Sequence, residues 1–174
     1  MRALGSDMFA RRERLLWRDQ QGSALIEGAA VIPLLIALVF GVFEFSWFFY
    51  QQHLVTIGLH DAADFLARSP DPCNAASRAW KAEQQHAKNL AAHGSLSGGA
   101  ARVRGWTAQM VTTKCSKIDN PVEPSGLSRF RGASIYVVTA STQFTYPSLG
   151  FLSLLHLRSP VISASYSERA IAAR

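Results

Sequence analysis

Side chains spaced for catalysis are scarce in this sequence. His60 and Asp64 stand four apart on what reads as a helix, near enough to share a metal ion. Two ligands leave such a site incomplete, so a local ion pair is the simpler reading. His86 and His93 are separated by seven positions with only Glu83 nearby. The serines follow no nucleophile-elbow pattern, and no GxGxxG or GxxxxGK(S/T) stretch is present to cradle phosphates. The reading is a protein that is not an enzyme and that uses no metal or cofactor. A different chemistry is legible at Gly22-Ser23-Ala24-Leu25-Ile26-Glu27. Cutting the Gly22–Ser23 bond would create an α-amino group on Ser23, with Glu27 as mature residue five. In a bundle of parallel helices, that ammonium can pair with Glu27 of its own chain or of a neighbour. The pair would offset the desolvation of both charges and fix their axial register. The plainer alternative is a Glu27 that snorkels to the cytoplasmic headgroups.

Glu27 matters because it stands at the mouth of an apolar run. Gly28 to Tyr50 reads GAAVIPLLIALVFGVFEFSWFFY, 23 residues with Glu44 as the one charge. As a helix it spans about 35 Å, against roughly 30 Å of bilayer hydrocarbon. Gly28–Phe43 has no polar stripe, which argues against a helix buried in a soluble core. A cleaved secretory signal fits poorly, because the run exceeds its usual apolar length and ends in Trp47, Phe48, Phe49 and Tyr50. Those rings read as an aromatic belt at the far interface of a membrane span. Residues 1–21 carry five arginines, and residues 51–68 carry Arg68 alone. That bias places the N-terminus in the cytoplasm and the remainder outside. Glu44 then lies near the outer leaflet. Either it reaches the exported headgroups, or it meets a basic group on another subunit or membrane helix.

The chain has 174 residues, 48% hydrophobic and 17% charged, with 18 Lys+Arg against 12 Asp+Glu. That suits one domain plus an anchor and excludes a disordered or large multi-domain protein. Beyond the span the helix is predicted to continue. Val55, Gly58, Leu59, Ala62, Phe65 and Leu66 form an apolar stripe, and Ser69-Pro70-Asp71-Pro72 stops it. Asn74 is read as the cap of a second helix reaching about His93, with Ala76, Ala79, Trp80, Ala87, Leu90 and Ala91 on one face. Gly94–Gly99 is a connector. Three strands are expected: about Ala101–Thr113 with a bulge at Gly105, Ser134–Tyr146, and Val161–Ile171. Their alternation suits an antiparallel sheet with one dry and one wet face. Cys73 and Cys115 are most simply one disulfide in an exported head.

Two surface features remain. Arg102, Arg104 and Trp106, with Lys114, Lys117, Arg129 and Arg131, could hold a polyanion, but a solvated sheet face is the commoner meaning. Nucleic acid is not expected as a partner. The uncharged stretch Pro147–Leu157 concentrates Phe151, Leu152, Leu154, Leu155 and Leu157. It is either core packing across the sheet or a docking patch for a sister subunit or the bilayer surface.

Gly22-Ser-Ala-Leu-Ile-Glu27, Ala29-Ala-Val-Ile-Pro33-Leu-Leu, Phe40-Gly-Val-Phe-Glu44-Phe and Phe49-Tyr-Gln-Gln52 together resemble the TadE-like family, minor pseudopilins of the tight-adherence (Flp pilus) machinery. The resemblance covers about residues 20–66 closely. It implies a basic cytoplasmic leader, residues 1–22, cleaved after Gly22 by a prepilin peptidase, with Glu27 and Glu44 serving assembly. It also implies a transmembrane, pilin-like helix over 23–68 and an exported α+β head over 69–174, in a bacterial inner membrane protein. The partners implied are the peptidase, the major Flp-type pilin, other TadE/TadG-type minor subunits and the inner-membrane platform. The alternative function is an uncleaved, single-pass anchor carrying an exported binding module.

Overall fold

The computed structural model describes residues 20–130 and 134–171. The expected leader up to residue 19, and Arg131 of the basic group, lie outside the described residues. The chain divides into two compact units, Met1–Phe43 and Glu44–Arg174.

Helix α1 covers Gln20–Ala67 and contributes to both units. Within the first unit it is apolar on all sides from Gly28 to Phe43, with Leu34 and Phe43 at 68% and 63% exposure. Among the described residues this is the helix long and apolar enough to cross a membrane, with mean hydropathy reaching 2.4. Pro33 sits within it. A proline there forfeits one backbone bond, a defect that membrane helices tolerate.

The second unit is α+β, as expected. After α1 come α2 (Arg78–His93), a short 3-10 turn (Ala108–Met110), β1 (Val111–Asp119), β2 (Ser134–Thr145), α3 (Phe151–Leu154) and β3 (Val161–Arg169). The sheet is antiparallel in the order β1-β2-β3. Its inner face, carried by Val138, Ala140, Phe144 and Ile162, shares one core with Val55, Leu59, Ala62 and Leu66 of α1. Ser163, Ser165 and Ser167 face outward, so the wet face of β3 lies where alternation placed it.

Boundaries differ where short polar side chains compete for the backbone. The cap of α2 is Ser77, whose Oγ accepts the Trp80 N–H at 3.3 Å. Asn74 instead turns the chain before the helix, its Oδ1 accepting from Ala76 N–H. Ala76 and Ala79 are exposed, and the buried face consists of Trp80, Ala87, Ala91 and Ala92. At its other end Gly94, at φ 71°, donates its N–H to Leu90 O, the left-handed stop that glycine permits.

The first strand is displaced. Residues 101–107 are not strand; Gly105 at φ 81° and the Trp106 N–H bonded to Val103 O make a tight turn rather than a bulge. Val103 and Trp106, three apart, are both buried, a spacing no strand can serve. β1 therefore starts at Val111 and runs on through Lys114 and Lys117 as an edge strand, paired Val111↔Thr142 to Asp119↔Ser134. β3 ends at Arg169. The Ala170 N–H still bonds Tyr136 O of β2, and the Ile171 N–H then turns to Ala67 O at the end of α1.

α1 and α2 meet at Gly58. A Cβ there would run into the Ala91 carbonyl oxygen and lie 2.9 Å from Trp106 Cη2. Alanine favours a helix over glycine by about 1 kcal/mol. Overpacking against a backbone carbonyl costs about 1–3 kcal/mol. Gly58→Ala is therefore expected to lower the unfolding midpoint of the full chain in detergent despite the better propensity. An unchanged or higher midpoint would show that the helices can part at little cost.

Candidate functional site

Gly22, Ser23 and Glu27 all lie in the opening turns of α1, which already begins at Gln20. The Gly22–Ser23 bond is thus within helical backbone. Glycine lowers the helix propensity at that bond by about 1 kcal/mol relative to alanine. Glu27 is exposed. The backbone nitrogen of Ser23 and residue Glu27 are four positions, hence about one helical turn, apart. The helix therefore places the candidate amine and its acid in neighbouring turns of one chain.

Glu44 lies elsewhere than either expectation put it. It is 4% exposed, within the head's own unit. Its Oε1 accepts the Leu149 N–H at 3.0 Å, and its main-chain oxygen accepts the Tyr146 hydroxyl at 3.3 Å. Oε2 is buried without a hydrogen-bond partner. Tyr146 packs edge-on against Phe48, and burial first, then the adjacent Glu44, pushes its hydroxyl well above the ordinary tyrosine value. Glu44 is thus a latch between α1 and the turn after β2, with its carboxylate engaged inside the head.

Replacing Glu44 by alanine strands the Leu149 amide and is expected to cost about 1–3 kcal/mol. Glu44→Gln keeps an oxygen at the same place and is expected to unfold close to wild type. Denaturant unfolding followed by near-UV circular dichroism separates them; equal midpoints for both variants would mean that the latch carries no stability.

The signal that could have found this site is periodicity. Extending the Val55 stripe backwards by turns gives Gln51, Phe48 and Glu44, and these are buried or half-buried. Gln51 is 4% exposed and, with Trp47, Tyr50, Arg102, Arg104 and Leu149, lines a cleft of about 370 Å³.

Other candidates resolve simply. Cys73 and Cys115 form a disulfide, with Cα atoms 5.5 Å apart. Asp64 pairs with Arg68 at 3.0 Å, not with His60, whose ring lies edge-on to Tyr166. Among the described residues no group of three or more His, Cys, Asp or Glu could hold a metal ion. Arg102 and Trp106 do not share a solvated strand face. Arg102 pairs with Asp61 at 2.6 Å and reaches Leu90 O near the C-terminus of α2, where a cation is favoured. Trp106 is fully buried. Lys114 and Lys117 are exposed on β1, and Arg129 faces Glu123 at 3.5 Å. In the apolar stretch, Phe151 and Leu152 are half-buried, whereas Leu154, Leu155 and Leu157 are 73%, 48% and 55% exposed. Of the five, Leu152 packs against the hydrophobic core.

The chain thus joins a long apolar helix, whose part from Glu44 onward belongs to a small α+β head, to one carboxylate just before the apolar run and one within it. Residues 22–64 match the model of the family described as TadE-like protein. The match supports assigning the chain to the TadE-like family and suggests a protein associated with the tight-adherence pilus. Among curated proteins and solved structures there is no significant match.

Proposed function

We propose that the chain is a minor pseudopilin of a tight-adherence pilus, made as a precursor and cut after Gly22 by a prepilin peptidase. The observation that carries this reading is where the family match begins. It opens at Gly22, takes in Glu27 and runs along α1 to residue 64. The arginine-rich leader stays in the cytoplasm, α1 crosses the inner membrane, and the head is periplasmic. Cleavage leaves an ammonium on Ser23 one turn before Glu27, and the two charges meet within one subunit or between neighbours. A charge carried into lipid costs about 2.5–3.5 kcal/mol on insertion scales. Pairing offsets that cost only in the correct axial register, so it selects how the subunit joins the major pilin, a second TadE/TadG-type subunit and the membrane platform. The work is structural, in assembly, adhesion or secretion.

N-terminal sequencing of the protein from the membrane fraction tests the reading. Ser23 is the expected first residue, and Gly22→Ala is expected to accumulate a precursor longer by the 22-residue leader. A wild-type chain beginning at Met1, or a Gly22→Ala variant of unchanged size, would overturn processing. The uncleaved anchored module would then be the better description.

A further inference from the structure

We propose that the segment from Leu149 to Leu157 is a second membrane contact, borne by the head, in which leucines enter the leaflet on the exported side of the bilayer. The proposal rests on reading α1 as a membrane span. Its independent support is the placement of this segment within the head's own unit. Leu149 donates its N–H to Glu44, and Tyr146 is tied to the Glu44 carbonyl and packed on Phe48. The segment is thereby pinned beside the last turns of the apolar run, where Trp47 and Tyr50 mark the interfacial depth.

What the segment presents there is suited to lipid. Leu149, Leu154, Leu155 and Leu157 are 59%, 73%, 48% and 55% exposed. No Asp, Glu, Lys, Arg or His occurs from Ser134 to Leu155, His156 is the one histidine up to Leu157, and the first full charge is Arg158. Leucines followed by an arginine make the pairing that lets apolar groups enter the acyl boundary while a cation stays at the phosphates. The adjoining cleft repeats it, since Leu149, Trp47 and Tyr50 share its lining with Arg104, which is exposed. Exposed apolar residues also occur at Val122 and Leu127. Those lie in the β1–β2 connection, beyond the end of β2 that begins at Ser134 and away from the end leading to Tyr146. They serve as the control.

The test uses the full chain in vesicles of phosphatidylethanolamine and phosphatidylglycerol. One nitroxide is attached through Leu154→Cys, Leu127→Cys or Ile36→Cys, the native cysteines being paired. Collision with oxygen, which concentrates in lipid, is compared with collision with a water-soluble nickel chelate. At Leu154 and Ile36 the oxygen-to-nickel ratio is expected to exceed that at Leu127 several-fold. A Leu154 ratio equal to that of Leu127, with Ile36 in lipid, overturns the lipid contact and leaves the span intact. An aqueous Ile36 overturns the span and the contact with it. A Leu154 probe shielded from both reagents shows a protein cover, such as a second copy, and overturns the lipid contact as well.

Discussion

Trp106→Ala is expected to destabilise the head by about 3–5 kcal/mol, the range for removing a large aromatic from a packed core. Trp106 is fully buried where three elements converge. Its ring stacks on Phe144 of β2 with centroids 6.0 Å apart, and its Cη2 faces Gly58 of α1. The indole Nε1–H donates to Thr142 Oγ1 at 3.0 Å, and Thr142 in turn donates to Met110 O. Alanine would remove the packing and leave an acceptor unfilled in the core. Trp106→Phe isolates the two effects, because it keeps a ring against Phe144 and loses only the indole donor. Thr142 would still hold its bond to Met110 O, so a loss nearer 1 kcal/mol is expected from the hydrogen bond alone. Denaturant unfolding of the full chain in detergent reads both variants. A loss below about 1 kcal/mol for Trp106→Ala would show that the core closes over the space the indole leaves.

Trp106 also marks where a reading of the sequence succeeds and where it stops. Period-two and helical patterns are local, so β2, β3 and the Val55–Leu66 stripe could be read directly, because each buries one continuous face. Residues 101–107 bury Val103 and Trp106 three apart in a turn held by Gly105, and neither period describes that. With arginines between them, the same residues imitate a solvated strand face. Arg102 turns instead to Asp61, a partner 41 positions away that no local pattern contains.

Glu44 shows a second kind of limit. As the one charge in a greasy run it is conspicuous, and a membrane rule assigns it to headgroups or to another subunit. Its turn-by-turn relation to Phe48, Gln51 and Val55 already places it on the head-facing side of α1. What no pattern supplies is the donor. The Leu149 amide is a backbone group 105 positions away, brought back by β2. The opening turns of α1 are the reverse case. Gly22, Ser23 and Glu27 are close neighbours in sequence, so their geometry comes from helix periodicity alone.

Breaking the Cys73–Cys115 bond is the other change expected to weigh heavily. It ties the link between α1 and α2 to β1 across 42 positions, and Cys115 stands opposite Val138 on the inner face of the sheet. On the chain-entropy model a loop of that length is worth about 4 kcal/mol. A part is offset, because Cys73 sits at φ 68°, a conformation that costs an L-residue roughly 1–2 kcal/mol and that can relax once the bond is gone. The net loss expected for Cys73→Ser, Cys115→Ser or the reduced wild type is therefore about 2–4 kcal/mol. The three should agree, since each removes the same cross-link, and dithiothreitol should then leave either variant unchanged. Alkylation of protein taken directly from cells adds the compartment. A head that faces the periplasm should resist alkylation until reduced, whereas one kept in the cytoplasm should label at both thiols. Full labelling without reductant would reverse the orientation proposed from the arginine-rich leader, even if the isolated protein forms the bond in air.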